Sequence, residues 1–358
     1  MTKLSILPGV RGIPYKMKAA LYYGPEEVRI ENTDVPEIGP GEVLVRVGAA
    51  LTCGTDFKTF RRGHPLLIKN IPSPFGHEMS GTIVKVGDEV SGFTPGMRVV
   101  AANSAPCGQC FFCRRSQHNL CENLEFLNGA FAEFIRIPEK IVNCNLYRVP
   151  QTLSFREAAL SEPLACVIHC LDKLRITPGE VMCIIGSGPL SLLMIQVAKL
   201  HQAKVIVVGR SHDKLEAAED MGADCVINVR LAKDPVAEIK AVCHHGYGAD
   251  LVIEAVGSKA TWNQALGVVR KGGRICLFGG CPQGTVFEAD AYRIHYEQIS
   301  VHGVFHYTPD YFVKALGMLA EGKIQVNPLI THECRLSELN QIFIPGVLHN
   351  PLKVVVIP

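Results

Sequence analysis

Four cysteines lie close together in the pattern Cys107-x2-Cys110-x2-Cys113-x7-Cys121. Thiolates at such short spacing in a cytoplasmic protein form a closed, tetrahedral zinc site. Because all four positions are taken by the protein, none is left for water or substrate, and such a metal is structural. The pattern therefore predicts a zinc-stabilised lobe at about residues 103–125. A chance cluster, or a set of redox thiols, is the alternative.

A second set of candidate metal ligands is dispersed along the chain: Cys53, the pair His77-Glu78, and Glu162. A zinc ion that activates a substrate needs mixed ligands and one open position, which sulfur, nitrogen and oxygen donors can supply. Each residue also has an ordinary interpretation. A lone cysteine is commonly a small buried side chain, and Glu162 fits the residue before a helix whose first position is Pro163.

A glycine-rich turn follows an apolar run and precedes a helix-like segment, with the sequence Gly186-Ser187-Gly188-Pro189-Leu190. This order is typical of a dinucleotide-binding loop. Gly186 would permit the tight turn. Gly188 would let the backbone approach a pyrophosphate at the helix N-terminus, where unpaired N–H groups favour an anion. A plain loop is the alternative.

The choice of cofactor is made at the end of the next strand, where an acidic side chain binds the ribose of NAD and repels the extra phosphate of NADP. Here the strand runs into Gly209-Arg210-Ser211, and no acid comes before Asp213. Arg210 can pair with a phosphate and Ser211 can donate a hydrogen bond to it. The sequence therefore favours NADP(H) over NAD(H). Alternatively, Arg210 is a solvated loop residue and Ser211 caps a helix.

Two patterns of elements would position these residues. From Met17 to about residue 160, short β-type runs are broken by Gly and Pro, which predicts an all-β, barrel-like domain. From about residue 162, strands and helices alternate, which predicts a doubly wound parallel sheet. The strand-like run Lys353–Ile357 is expected to close the first domain. We predict an N-terminal extension at 1–16, a catalytic domain at 17–161 and 304–358, and a cofactor domain at 162–303.

Length and composition agree with a chain of two domains. A chain of 358 residues is too long for one ordinary core. The charged fraction of 20% and the net charge of +2 argue against nucleic acid as a partner. No uninterrupted apolar run reaches the ~18 residues that a membrane helix needs, so no membrane association is expected. The fourteen cysteines do not resemble a secreted disulfide framework, so we expect a reducing, cytoplasmic location.

The motif Gly76-His77-Glu78-x2-Gly81-x5-Gly87-x2-Val90 resembles the zinc signature of the medium-chain alcohol dehydrogenases. Upstream, Cys53-Gly54-Thr55-Asp56 lies where that family keeps its first zinc ligand. The order of these motifs, the four-cysteine lobe, Glu-Pro-Leu and Gly-Ser-Gly-Pro-Leu is similar to that of the sorbitol and threonine dehydrogenase branches, over almost all of residues 17–358. The resemblance implies a GroES-like β-barrel catalytic domain, a Rossmann cofactor domain, an active-site zinc between them, and a homodimer or homotetramer.

Carried over residue by residue, the resemblance implies that Cys53, His77 and Glu78 hold the active-site zinc. It makes Glu162 a fourth ligand, or the residue that holds the zinc-bound water. With the structural site, this gives two zinc ions per chain. Thr55 would accept the alcohol proton, the metal would act as a Lewis acid, and hydride would pass between the substrate carbon and the nicotinamide. The implied activity is the reversible oxidation of a secondary alcohol, of polyol or sugar type, to a ketone.

Three positions depart from the family's pattern. Lys58 stands where relatives often carry a relay histidine, so the route of the proton beyond Thr55 is open. His306 stands where animal sorbitol dehydrogenases have a polyol-binding arginine, which argues against sorbitol itself. Arg210 departs from the acid of the NAD-using members. Lys58 and His306 are therefore the candidate substrate-contacting residues.

Basic residues crowd the segment after Cys53, which borders the substrate pocket in relatives: Lys58, Arg61, Arg62 and His64. One hypothesis is that the substrate carries a phosphate or a carboxylate, and the alternative is a solvated positive loop. Two rival functions are an NADPH-dependent biosynthetic ketone reductase and a catalytically silent NADP-binding scaffold. The particular alcohol and the physiological direction are left open by the sequence.

Overall fold

The computed structural model describes residues 12–358. Its strands are β1 (Lys16–Gly24), β2 (Glu27–Asp34), β3 (Val43–Leu51), β4 (Ser73–Pro74), β5 (Glu78–Val86), β6 (Arg98–Ala101), β7 (Ser104–Ala105), β8 (Glu125–Phe126), β9 (Phe134–Ile137), β10 (Leu146–Arg148), β11 (Val181–Ile185), β12 (Lys204–Gly209), β13 (Cys225–Asn228), β14 (Ala249–Glu254), β15 (Val269–Leu277), β16 (Ser300–Gly303), β17 (Ile330–Arg335) and β18 (Lys353–Ile357). Its helices are α1 (Gly54–Arg62), α2 (Glu139–Cys144), α3 (Phe155–Ala159), α4 (Ser161–Leu174), α5 (Pro189–Leu200), α6 (His212–Asp220), α7 (Pro235–Ala241), α8 (Lys259–Val268), α9 (Ala291–Tyr296), α10 (Pro309–Ala320) and α11 (Leu339–Ile342).

The chain divides into two compact units. The first comprises the described residues up to Glu162 together with Thr308–Pro358, and the second comprises Pro163–Tyr307. Glu162 therefore belongs to the first unit and His306 to the second. Residues 1–11, most of the predicted N-terminal extension, lie outside the described residues.

The first unit is built mainly on a mixed sheet in the order β10-β6-β5-β3-β18-β17, with β9 also paired to β3. The C-terminal strand β18 pairs antiparallel with β3 through Val355 and Leu51, which confirms the expected closing of this domain by the tail. β3 and β5 approach closely at Gly81, because a Cβ there would lie 2.1 Å from the Arg46 carbonyl oxygen. This approach matters because β3 and β5 carry the metal-ligand candidates at their ends.

The core of the first unit is made by apolar side chains of these strands and the loops between them. Its largest fully buried members include Tyr22, Phe75, Phe131, Ile83 and Ile137. Burying such side chains contributes about 1.5–3 kcal/mol each. The packed core therefore gives the strand ends a rigid base.

The second unit contains a six-stranded sheet in the order β13-β12-β11-β14-β15-β16, in which every neighbouring pair is parallel. Starting from β11, this is the strand order 3-2-1-4-5-6 of a Rossmann fold, as the alternating pattern predicted. The central strand β11 is buried along its whole length, as expected of a strand covered on both faces. Ile185 pairs with Val208 and with Glu254, so the glycine-rich turn leaves the sheet at its carboxyl edge.

Helix α4 begins at Ser161 and has 14 residues. The interpretation of Glu162 as the residue before a helix that starts with Pro163 is therefore wrong. Proline is tolerated at the third position because the first four N–H groups of a helix have no partner within it. Within residues 12–358, no helix has the length and apolar character that crossing a membrane requires.

Candidate active site and metal centres

Cys53 lies at the junction of β3 and α1, where it caps the helix. Its backbone is extended, with φ −120° and ψ 155°, and its Sγ accepts from the Thr55 N–H at 3.5 Å. In return, Asp56 Oδ2 accepts from the Cys53 N–H at 2.7 Å. This reciprocal arrangement is a capping box with cysteine in the position usually held by serine or threonine. It fixes the direction in which the Cys53 thiol points.

His77 and Glu78 enter the site through the register of β3 and β5. Leu51 pairs with Glu78, so Cys53, two residues beyond Leu51, comes beside His77. The ligand atoms of Cys53, His77 and Glu78 lie within 4.8 Å of one another. Sulfur, nitrogen and carboxylate oxygen at this separation form a mixed donor set that suits zinc.

Asp56 also orients His77. The Nδ1 atom of His77 lies 3.0 Å from Asp56 Oδ1, and both side chains are buried. Burial disfavours a charged imidazole, but the negative charge of Asp56 outweighs it and raises the pKa of His77 well above its usual value. With Nδ1 against the carboxylate, Nε2 is the nitrogen left for a metal. Surroundings that favour a proton on this ring also favour a cation.

Glu78 is paired with Lys353 at the start of β18. Lys353 Nζ lies 2.5 Å from Glu78 Oε1 and also contacts Oε2, and both residues are almost fully buried. Burial alone would lower the pKa of Lys353, but the charge of Glu78 raises it above the ordinary value. Burial raises the pKa of Glu78, and the charge of Lys353 opposes this rise. The ion pair therefore fixes the position of the Glu78 carboxyl group.

Glu162 stands apart from the three clustered ligands, at the start of α4. It is buried. Burial and the negative charge of Glu78 raise the pKa of Glu162 to about 7. A carboxyl group with this pKa can hold or release a proton near neutral pH. Thr55, in the first turn of α1, is half-buried and follows Cys53 by two residues.

The structure brings the four cysteines of the lobe together. Their Sγ atoms lie within 4.8 Å of one another, and Cys121 Sγ accepts from the N–H groups of Cys107 and Asn123 at 3.2 and 3.3 Å. Hydrogen bonds from the backbone of Cys113 and of Glu122 lower the pKa of the Cys110 thiol to about 6. Backbone donors of this kind stabilise thiolates, which are the form that binds zinc.

The glycine-rich turn connects β11 to α5. Gly186 has φ +123°, a conformation that favours glycine. Gly188 is the N-cap of α5, and a Cβ added to it would meet nothing within 4 Å. The N-terminus of this 12-residue helix therefore opens on free space, where its N–H groups can face an anion.

The residues after β12 differ from one another in exposure. Arg210 is exposed, and its side chain has no ion-pair partner within the described part of the chain. Ser211 caps α6 by position, but its side chain makes no capping hydrogen bond. Its Oγ is buried without a hydrogen-bond partner among residues 12–358. A buried hydroxyl without a partner is uncommon and suits an oxygen-rich ligand.

The two candidate substrate residues lie in different compact units. Lys58 is half-buried in α1 of the first unit. His306 lies in the second unit, has a left-handed backbone with φ 59°, and its carbonyl oxygen lies 2.8 Å from the Nδ1 atom of His169. Of the other basic residues after Cys53, Arg61 and Arg62 are exposed, whereas His64 is half-buried and its Nδ1 accepts from the backbone N–H of Leu66 at 3.2 Å.

Asp56 and Lys353 are the site residues that sequence reasoning missed. Asp56 was visible as the fourth residue of Cys-Gly-Thr-Asp, but nothing in the sequence shows that its carboxylate reaches both Cys53 and His77. Lys353 heads an otherwise apolar strand, and a charged residue at such a position signals a buried partner. Its partner is 275 residues away.

Comparison with known proteins agrees with this geometry. Residues 39–150 match the family described as the alcohol dehydrogenase GroES-like domain, and residues 189–321 match the one described as zinc-binding dehydrogenase. The chain is 34% identical over 336 residues to sorbitol dehydrogenase of Bacillus subtilis (strain 168), covering 91% of this chain and 92% of that protein. It is 32% identical over 354 residues to D-arabinitol dehydrogenase 1 of Uromyces fabae, covering 97% and 98%.

A solved structure shares the whole fold. It is a Sinorhizobium meliloti 1021 protein described as a zinc-binding dehydrogenase and solved bound to NADP, with a TM-score of 0.88 and 31% identity, covering 96% of this chain and 99% of that one. The fold is thus that of the dehydrogenases that join a GroES-like domain to a Rossmann domain. Within that class, the chain belongs to the zinc-containing medium-chain alcohol dehydrogenase family, in its sorbitol dehydrogenase-like branch. It is an alcohol or polyol dehydrogenase that acts on a small molecule with a nicotinamide cofactor.

Proposed function

We propose that this protein is a zinc-dependent, NADP(H)-preferring oxidoreductase that interconverts a secondary alcohol of polyol or sugar type and its ketone. The observation that carries the proposal is the cluster of Cys53, His77 and Glu78, whose ligand atoms lie within 4.8 Å of one another. The Asp56 carboxylate contacts His77, and the Lys353 ammonium group contacts Glu78. Groups that orient metal ligands in this way are typical of catalytic metal sites.

The donor set fits a catalytic zinc. Three protein ligands of different type leave a coordination position for substrate or water. When bound, zinc supplies a Lewis acid for the alcohol oxygen. Thr55 is proposed to take the alcohol proton, and Glu162 to hold a proton or a water molecule beside the ligands, since its pKa of about 7 permits either state near neutral pH.

The cofactor loop fits a dinucleotide with an extra phosphate. The open N-terminus of α5 would receive the pyrophosphate, while Arg210 and the Ser211 hydroxyl would receive the 2′-phosphate of NADP. Gly186, Ser187, Gly188, Pro189, Leu190 and Gly209 would form the surrounding backbone. The bound nicotinamide supplies the hydride donor or acceptor.

The lobe of Cys107, Cys110, Cys113 and Cys121 is proposed to hold the second zinc of each chain. A closed set of four thiolates has no position for substrate, so this ion stabilises the lobe and performs no chemistry. None of the fourteen cysteines, all within residues 12–358, is in a disulfide. Free thiols are consistent with a reducing cytoplasm, which we propose as the location, with a homodimer or homotetramer as the assembly.

A polyol panel tests the proposed activity. Sorbitol, xylitol and arabinitol are offered with NADP+ or NAD+ to the wild type, to His77→Ala, and to His201→Ala as a control, because His201 is exposed and lies outside the proposed sites. We expect NADP+ reduction by the wild type and by the control, and a loss of about 100-fold or more in His77→Ala. No turnover by a wild type that holds only one zinc ion per chain would favour the silent scaffold. A much faster reduction of ketones would favour the biosynthetic reductase.

A further inference from the structure

Helix α1, which begins beside the metal-ligand cluster, carries three basic residues: Lys58, Arg61 and Arg62. The acidic residue of this helix is Asp56. Its carboxylate already accepts from the Cys53 N–H and lies against His77. The three positive charges therefore have no uncommitted acid on the same helix to offset them.

Lys58 and Arg62 share one side of α1 with Thr55. They follow Thr55 by three and seven residues, which is the spacing of side chains on one helix face. Lys58 lies about 4.5 Å and Arg62 about 10.5 Å along the helix axis from Thr55, whereas Arg61 points about 120° away around the axis. Thr55 and Lys58 are half-buried and Arg62 is exposed. This side of the helix therefore leads from the ligand cluster toward solvent.

The opposite side of α1 is anchored in the first unit. Thr59 is buried, and the rings of Phe57 and Phe60 pack on Phe343, with ring centroids 5.2 and 4.7 Å from it. This packing fixes the rotation of the helix about its axis. The basic side is thus held in one direction and presents its charges in a constant arrangement.

The helix dipole accounts for only part of this charge pattern. Cations in the last turn of a helix, where Arg61 and Arg62 lie, are favourable. Lys58 lies in the middle of α1, three and four residues from these arginines, and like charges at that spacing destabilise a helix. An anion bound on this side of the helix would offset the repulsion.

The end of α1 is within electrostatic reach of the metal-ligand cluster. Burial lowers the pKa of His64, and the positive charges of His77 and Arg62 lower it further. The zinc-ligand candidate His77 and the basic residue Arg62 therefore act on the same imidazole. A single small molecule can extend from the cluster to this part of the helix.

We propose that the substrate is a polyol phosphate, whose reacting hydroxyl lies at Thr55 and whose phosphate is bound by Lys58 and Arg62. This inference rests on the proposed function, because it names the substrate class of the same site. A phosphate monoester carries about −1.5 to −2 charges, so it suits an ammonium and a guanidinium group together better than a carboxylate does. In the reaction, the carbinol C–H gives its hydride to NADP+, the O–H gives up its proton through Thr55, and the phosphate ester bond stays intact.

The test measures kcat/KM with NADP+ for sorbitol 6-phosphate and xylitol 5-phosphate, and for sorbitol and xylitol. The proteins are the wild type, Lys58→Gln, Arg62→Gln and Arg61→Gln. We expect the wild type to favour a phosphorylated polyol over its free form by about 100-fold, and Lys58→Gln and Arg62→Gln each to reduce this preference about tenfold, because each removes a charge-assisted hydrogen bond. Arg61→Gln removes the same charge from another side of the helix and should change the preference by less than about threefold.

Titration calorimetry with the same polyol phosphates, on the enzyme loaded with zinc and NADP+, adds a measurement that does not depend on turnover. Equal kcat/KM for free and phosphorylated polyols, or an equal loss of preference in all three variants, would overturn the inference and leave the proposed polyol oxidation intact. A preference for gluconate over the polyol phosphates would assign Lys58 and Arg62 to a carboxylate and would also overturn it.

Binding and turnover together separate the inference from the proposed function. Binding of a polyol phosphate that weakens in Lys58→Gln and Arg62→Gln, without turnover by the wild type, would support the phosphate site and contradict the proposed activity. Neither binding nor turnover of any of these compounds would overturn both.

Discussion

Lys353 and Glu78 form an ion pair in which both residues are buried. The pair joins the C-terminal strand to the cluster of Cys53, His77 and Glu78. The Nζ to Oε1 distance is 2.5 Å, and the exposed fractions are 2% for Lys353 and 1% for Glu78. A buried charge without its partner is far more costly than an exposed one.

Lys353→Met should therefore destabilise the protein by about 3–5 kcal/mol, because it leaves the Glu78 carboxylate buried and uncompensated. The control is Lys323→Met, whose pair with Glu321 has the same 2.5 Å separation but is more than half exposed. An exposed pair is worth about 0–1 kcal/mol. Thermal unfolding compares the two variants, and equal shifts in Tm would contradict the importance of the buried pair.

Asp56→Asn should weaken zinc binding at the Cys53, His77 and Glu78 cluster. The carboxylate is the group that positions both Cys53 and His77, and loss of such a partner lowers metal affinity or activity about 10–100-fold. Competition with a zinc-binding dye measures the affinity, and kcat is recorded on the same samples. Asp34→Asn, at an exposed residue, is the control. Unchanged zinc affinity in Asp56→Asn would refute the positioning role.

Cys110→Ser should remove one zinc ion per chain and leave the other in place. Three remaining thiolates no longer close a tetrahedral site, so the segment between Cys107 and Cys121 should become more sensitive to proteolysis. Cys144→Ser is the matched control, because Cys144 lies outside the cluster. Metal analysis and limited proteolysis report the outcome. A full zinc content in Cys110→Ser would count against the structural site.

Asp250 makes the stability of the second unit depend on pH. Its carboxylate accepts from Val181 N–H at 2.7 Å and contacts Arg270 Nε at 2.6 Å and His244 Nε2 at 2.5 Å. Burial alone would raise the pKa of Asp250, but these partners lower it below the ordinary 3.8. A lowered carboxyl pKa stabilises the folded state above the ordinary pKa, and this contribution is lost as the pH falls through the folded-state pKa.

Asp250→Asn should thus lower the Tm at pH 7, by the equivalent of about 1–3 kcal/mol. The difference from wild type should shrink as the pH falls below about 4, where the wild-type carboxyl takes up its proton. Asp220→Asn, at an exposed residue, should follow the wild type throughout. Thermal unfolding from pH 7 to pH 3 makes the comparison, and a difference that did not vary with pH would be inconsistent with this account.

The elements of the fold were largely predictable because their patterns are local. The apolar run before the glycine-rich turn forms the strand Val181–Ile185, and the order of apolar run, turn and helix made the turn recognisable in the sequence. The four-cysteine lobe was recognisable for the same reason, because Cys107, Cys110, Cys113 and Cys121 are close together in the sequence. The sequence predicted that the run Lys353–Ile357 closes the first domain, but not that it pairs with β3, because sequence alone carries no register between strands about 300 residues apart.

The contacts within the site were not predictable, because they join side chains distant in the chain. Asp56 contacts His77 from a different element, and Lys353 contacts Glu78 although 275 residues separate them in the chain. The closeness of Gly209 and Ser187 was also not predictable: the sequence shows both residues, but not that the Ser187 side chain lies against Gly209. Such relations depend on packing, which local patterns do not encode.

The most direct test of the catalytic metal site measures the zinc content per chain and the rate of polyol oxidation. Both are measured in the same samples of wild type, His77→Ala and Cys110→Ser. We expect two zinc ions per chain in the wild type and one in each variant. Polyol turnover should be lost in His77→Ala, with its remaining zinc in the four-cysteine lobe. A His77→Ala protein that kept both zinc ions and full turnover would contradict the assignment of Cys53, His77 and Glu78 as the catalytic metal site.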